Sequence, residues 1–120
     1  MVHAFGTSVE GWLVLVVRSH VNTLAELTDE EAADLGPLVR DVSKALQATT
    51  GCAKTYIAQF AEHPQHPHVH VHLIPRSSDL ADAQRGPGIF SRLGVPDADC
   101  VTEERMNVIA GELQQHLAAR

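Results

Sequence analysis

Three histidines, His68, His70 and His72, recur at strict two-residue spacing and alternate with Val69, Val71 and Leu73. Successive side chains of a β-strand point to opposite faces, so the pattern puts the imidazoles on one side, roughly 6–7 Å apart. One strand histidine is ordinarily a surface residue or a satisfied core residue. Three on one rigid face point to chemistry, and two kinds are open to them. A neutral imidazole attacks phosphorus through one ring nitrogen when an acceptor holds the other and fixes the tautomer. Its ordinary pKa of about 6.5 leaves a useful neutral fraction near pH 7. Neighbouring histidines would then hydrogen-bond the non-bridging oxygens and protonate the leaving group. The other kind is metal binding, because His-x-His on a strand suits zinc and His63 and His66 in the preceding loop could complete the ligands. Against it, the strand carries no Asp, Glu or Cys, and Pro64 and Pro67 stiffen that loop.

The elements that must position this strand are legible on either side of it. The apolar run Trp12 to Val17, led by Gly11 and ended by Arg18-Ser19-His20, reads as a strand buried on both faces. Thr28 and Glu31 form a capping box. Ala32, Leu35, Leu38, Val39, Val42 and Leu46 follow at helical spacing, Gly36-Pro37 marks a point of bending, and Gly51 supplies the stop. Lys54 to Phe60 reads as a second strand, and His68 to Ile74 as the third, ended by Pro75. Residues 76 to 100 form a long polar stretch centred on Arg85-Gly86-Pro87-Gly88, of the kind that is functional or mobile. Met106, Ile109, Leu113 and Leu117 mark a closing helix from about Thr102. The order β, α, β, β, α predicts an α+β fold, an antiparallel sheet with a long amphipathic helix and a C-terminal helix.

The chain has 120 residues, one domain's worth, so the expectation is a single domain over 1–120. A composition that is 44% hydrophobic and 20% charged is ordinary globular usage. The net charge of −6 argues against a general nucleic-acid binder, so an anionic ligand must be held by a local cluster. Cys52 and Cys100 stand far apart, which excludes a disulfide scaffold or a Cys-rich zinc site and makes the cytoplasm the expected compartment. The longest apolar run is too short to cross a bilayer and no basic n-region with a long apolar stretch opens the chain, so neither a signal peptide nor a membrane partner is expected.

His68-Val69-His70-Val71-His72-Leu73-Ile74 fits the His-φ-His-φ-His-φ-φ signature of the histidine triad (HIT) superfamily of nucleotide hydrolases and transferases. Pro75-Arg76 looks like the branch that splits diadenosine polyphosphates. The segment Gly11 to His20 resembles the family's apolar strand, and the match runs over roughly residues 10 to 76. His3 to Ser8 together with Arg85-Gly86-Pro87 looks like a bacterial subgroup of diadenosine tetraphosphate hydrolase-like proteins. The resemblance implies that His70 is the nucleophile of a nucleotidyl-imidazole intermediate, that His68 helps to orient it, and that His72 contacts phosphate and assists the leaving group. Gln59 resembles the family's phosphate-contacting polar residue. Arg76, with Ser77, Ser78 and Arg85, could neutralise a polyphosphate chain. It further implies chemistry without metal or cofactor, a nucleotide substrate, and a homodimer joined through the sheets and the long helix.

The chain departs from the family at three places. Trp12 stands where the family usually carries a histidine that buttresses the first triad histidine, a task left to His63, to His66, or to nothing. Glu62 to Pro67 replace the family's Gly-Gln-Ser/Thr-Val stretch. Only ten residues precede Gly11, so the fold is N-terminally short and the base pocket falls to Val2 to Phe5, to the long loop, or to a partner subunit. A transferase would use the same intermediate. A non-catalytic nucleotide-binding module would follow if these departures disable the site. Elsewhere, His3 and His116 read as surface residues, His20 as structural, and Trp12 as core or dimer interface.

Overall fold

The computed structural model describes residues 1–119. Its sheet has four antiparallel strands, β1 (Val2–His3), β2 (Leu13–Val16), β3 (Lys54–Ala58) and β4 (His70–Arg76), in the order β1-β2-β4-β3. Helix α1 (Asp29–Thr50) connects β2 to β3, and α2 (Glu103–Ala118) follows β4 after a long excursion. This is the expected α+β architecture. The capping box forms as the sequence predicts: the Thr28 side chain accepts from Glu31 N–H, and Glu31 accepts from Thr28 N–H. Gly51 ends α1 at φ 70°, the left-handed conformation that glycine adopts without strain.

Two apolar clusters lie on the two faces of the sheet. On one face Leu13, Val71 and Leu73 pack against Val42, Ala45 and Leu46 of α1 and Ile109 and Leu113 of α2. On the other, Ala4, Trp12, Ile74 and Ile89 form a smaller core with Tyr56, Phe90 and Leu93 around it. The even-numbered residues of β4 therefore share a face with Trp12, and the odd-numbered ones face the helices.

The strand run from Trp12 to Val17 narrows to Leu13–Val16, and Val16 is exposed because neither core reaches that end. β4 starts at His70, not His68, and continues through Pro75 to Arg76. Pro75 is tolerated because odd residues of β4 direct their backbone toward β2, whose pairing ends at Leu13↔Leu73, so its missing N–H leaves no ladder acceptor unpaired. The long stretch after β4 is built of 3-10 turns, Asp82–Gln84, Gly86–Arg92 and Asp97–Asp99. It is sewn to the N-terminal segment: Thr7, fully buried, donates its hydroxyl to Arg92 C=O at 2.9 Å, and Gly94 N–H donates to Gly6 C=O at 2.7 Å.

His3 is half-buried rather than a surface residue. Its Nδ1 donates to Ala4 C=O at 2.8 Å and its Nε2 accepts Gly11 N–H at 3.0 Å, which ties β1 to the turn before β2. Burial lowers its pKa from 6.5, against the opposing pull of the Ala4 carbonyl and of Glu10. The unfolded chain therefore binds this proton more readily, and the stability that His3 supplies is intact above 6.5 and lost as pH falls toward the lowered folded value. Urea unfolding of the parent should show a midpoint that drops across this window, and His3→Gln should flatten that dependence. A slope unchanged by the substitution would assign it to other groups.

Gly11 is fixed in the same turn, at φ +89°, and a Cβ there would lie 3.0 Å from Thr50, 3.2 Å from Pro75 and 3.3 Å from Leu46. Gly11→Ala should cost about 2 kcal/mol, read as a lower urea midpoint at constant m. An unshifted midpoint would show that the turn relaxes freely.

Candidate active site

β4 delivers His70 and His72 to the sheet face shared with Trp12, and His68 follows them from a bend just before the strand. The ring centroids are 6.3 Å apart for His68 and His70 and 5.1 Å for His70 and His72. His70 Nδ1 lies 3.1 Å from the backbone carbonyl of His68. A carbonyl oxygen only accepts, so Nδ1 carries the proton and Nε2 keeps its lone pair. The backbone carbonyl of His68 thus fixes the tautomer of the His70 ring.

His72 is held in the opposite sense. Trp12, with no exposed surface, donates its indole N–H to His72 Nδ1 at 3.0 Å. The indole can only donate, so the His72 proton sits on Nε2. Phe90 from the Gly86–Arg92 turn packs edge-on against both rings, at 5.4 Å from His72 and 5.3 Å from Trp12. Burial in this apolar corner lowers the His72 pKa from 6.5, and a charge on neighbouring His70 lowers it further. The pair thus presents a ring nitrogen with a free lone pair beside a neutral N–H donor. Such a pair has the chemistry to supply a nucleophile and a hydrogen-bond donor to an oxyanion.

A cavity of about 480 Å³ opens over these rings. The imidazoles of His63, His66, His68, His70 and His72 form one side, and Val2, Phe5, Val14, Val16 and Leu93 form an apolar side. His66 is the loop histidine that reaches the first triad ring, edge-on at 6.0 Å. His63 stacks on His66 at 5.2 Å, and its Nδ1 accepts Gln65 N–H at 3.1 Å. Among the described residues no group of three or more His, Cys, Asp or Glu is arranged to hold a metal ion.

The phosphate-binding candidates are placed less centrally. Gln59 is half-buried one residue past the end of β3, and Arg76 ends β4, about 13 Å along the strand from His72. Neither lines the cavity. Arg85 braces the long loop instead, donating to Leu80 C=O at 2.9 Å and Ser78 C=O at 3.1 Å. His20 and His116 are exposed. Sequence reasoning missed Trp12 and Phe90 as neighbours of the triad. Trp12 was visible as an aromatic donor replacing the family's histidine, whereas nothing local in the sequence signals Phe90.

Solved structures with the same architecture include a histidine triad protein from Bradyrhizobium japonicum, 29% identical, with a TM-score of 0.67 over 88% of this chain and 75% of that one. A histidine triad protein from Sinorhizobium meliloti is 26% identical, with a TM-score of 0.69 over 88% of this chain and 73% of that one. A zinc-bound histidine triad family protein from Mycobacterium smegmatis shares the fold at 16% identity, with a TM-score of 0.63 over 98% and 79%. No curated protein matches the sequence. The family model of the HIT domain matches residues 4–79, which span β2 to β4 and the cavity histidines from His63 to His72, and the chain belongs to that family.

Proposed function

We propose that this chain is a nucleotide hydrolase that cleaves a dinucleoside polyphosphate or a related nucleotidyl bond through a covalent His70 intermediate. The observation that carries the reading is the Nδ1–H bond from His70 to the His68 carbonyl, which leaves Nε2 as a lone pair at the cavity. His70 Nε2 attacks the α-phosphorus, the bond to the leaving phosphate breaks, and that phosphate departs with the electron pair. The nucleotidyl-imidazolium keeps its Nδ1–H on the His68 carbonyl. Water then attacks phosphorus, the P–N bond returns its electron pair to Nε2, and the water's proton passes to solvent.

The remaining groups fit around this sequence. His72 donates Nε2–H to a non-bridging oxygen. The apolar side from Val2, Phe5 and Leu93 suits a nucleobase, so the N-terminal segment and the long loop both contribute to its pocket. Gln59 and Arg76 would meet a substrate only where its phosphate chain extends beyond the cavity. No metal or cofactor enters the scheme. We extend the reading to a single HIT-like domain over 1–120, of the bacterial diadenosine tetraphosphate hydrolase-like kind, that acts in the cytoplasm, where free Cys52 and Cys100 stay reduced. We include a homodimer, because Val16 and Leu38 leave an apolar groove exposed between β2 and α1.

Diadenosine tetraphosphate offered with excess chelator should be hydrolysed, and acid quenching should trap a nucleotidyl adduct on His70. His70→Gly should lower turnover by about 10⁴-fold or more, abolish the adduct and retain nucleotide binding. Equal turnover in variant and parent would remove His70 as nucleophile. Binding without turnover in the parent would make the protein a nucleotide-binding module, and passage of the adduct to added phosphate in preference to water would make it a transferase.

A further inference from the structure

The hydrolase reading leaves open what leaving group the site accepts, and the contact between Trp12 and His72 bears on it. An indole nitrogen has a hydrogen and no lone pair to share, so whatever faces it must accept. His72 Nδ1 faces it at 3.0 Å, with Trp12 fully buried and His72 only 8% exposed. A second proton on Nδ1 would set one N–H against another and strand both where no water reaches. The ring therefore carries one proton, on Nε2. That proton can be offered in a hydrogen bond, but handing it over would leave an imidazolate anion with no cation beside it.

From this we infer that Trp12 is a positioning residue that holds His72 as a neutral Nε2–H donor, and so confines the site to leaving groups that depart as oxyanions. The inference rests on the hydrolase reading and narrows its substrate class to phosphoanhydrides. In a phosphoanhydride the P–O bond breaks and the leaving phosphate takes the electron pair, which it holds without a proton because its last ionisation lies near pH 6. In an alkyl phosphoramidate the P–N bond breaks and nitrogen takes the pair. An amine whose conjugate acid has a pKa near 10 cannot leave until a proton reaches that nitrogen. His72 has none to give.

The other groups around His72 do not replace it. Trp12 just before β2, Phe90 from the Gly86–Arg92 turn and Ala58 of β3, its register partner, carry no titratable proton near neutral pH. His70 on β4 is engaged as nucleophile with Nδ1 on the His68 carbonyl. His3 also lines the cavity, with both ring nitrogens in hydrogen bonds. His63, His66 and His68 are the rival proton donors, standing at the side where the loop enters.

Two measurements on the full chain test this. In ¹⁵N-histidine-labelled protein, long-range ¹H–¹⁵N spectra should show His72 protonated on Nε2 alone from pH 8 down to 6, whereas in Trp12→Phe the ring should take up a second proton at higher pH. A parent ring protonated on Nδ1, or already imidazolium at pH 6.5, would overturn the inference. In the second, kcat/KM is compared for diadenosine tetraphosphate and an alkyl phosphoramidate of adenosine monophosphate. The parent should favour the anhydride by about 10²-fold or more, and Trp12→Phe should narrow that ratio about tenfold, with an amine-releasing rate that rises as pH falls. Equal use of both substrates by the parent keeps the hydrolase reading and sinks the inference, pointing to His63, His66 or His68 as acid. An unchanged ratio in a folded Trp12→Phe protein also sinks it. If the parent cleaves neither substrate, the hydrolase reading fails and takes the substrate clause with it, while the spectrum still decides the tautomer. The parent's spectrum and ratio stand even if the variant does not fold.

Discussion

Strand β4 has a partner on each edge, and that double pairing governs what the protein can be. Leu13 to Val16 of β2 fix its register from one side and Lys54 to Ala58 of β3 from the other. A slip of one residue would turn Val71 and Leu73 out of the helical core and drive His70 and His72 into it. Burial of Val71 and Leu73 under α1 and α2 thus specifies where the imidazoles stand. The triad needs no hydrogen bonds of its own to be aligned. It inherits its alignment from aliphatic residues on the opposite face.

What hydrogen bonds add is the choice of nitrogen. Adjacent triad rings are set to opposite tautomers, one by a carbonyl and one by an indole, so two chemically identical side chains acquire different abilities. The two contributions of Trp12 differ in size. Burying an indole is worth on the order of 5 kcal/mol in transfer free energy, while its hydrogen bond nets about 1 kcal/mol. Packing therefore places the residue, and the small directional term decides what its neighbour does. Phe90 completes the corner by excluding water from both rings, which is why the Gly86–Arg92 turn belongs to the site even though it offers no catalytic group.

The sequence displays local order well. Alternation from Val69 to Leu73, the Thr28 and Glu31 cap and the Gly51 stop all depend on residues a few positions apart, and all three appear in the structure. Less legible are features made by contacts distant along the chain. The pairing of Thr7 with Leu93 and the bond from Thr7 to Arg92 join segments 85 residues apart, and they convert a polar loop into a wall of the cavity. Pro75 misleads as a strand terminator because its effect depends on which edge of β4 lacks a neighbour. His3 misleads as a surface residue because its partners, Ala4 and Gly11, are backbone groups. Trp12 stands out in the sequence as an anomaly, but only the fold shows that it reaches the third triad histidine.

Trp12 is also the sole tryptophan of the chain. Its indole is sealed from solvent and touches an imidazole that lines the cavity, so the tryptophan fluorescence of the protein arises at the site alone. Emission from such a buried ring is shifted to the blue, and it is dimmed when a neighbouring histidine becomes charged. Ligand arrival, displacement of the Phe90 wall and a change in His72 charge would each alter the same optical signal. The contact that sets a proton's position thus equips the molecule with an unlabelled gauge of its own occupancy.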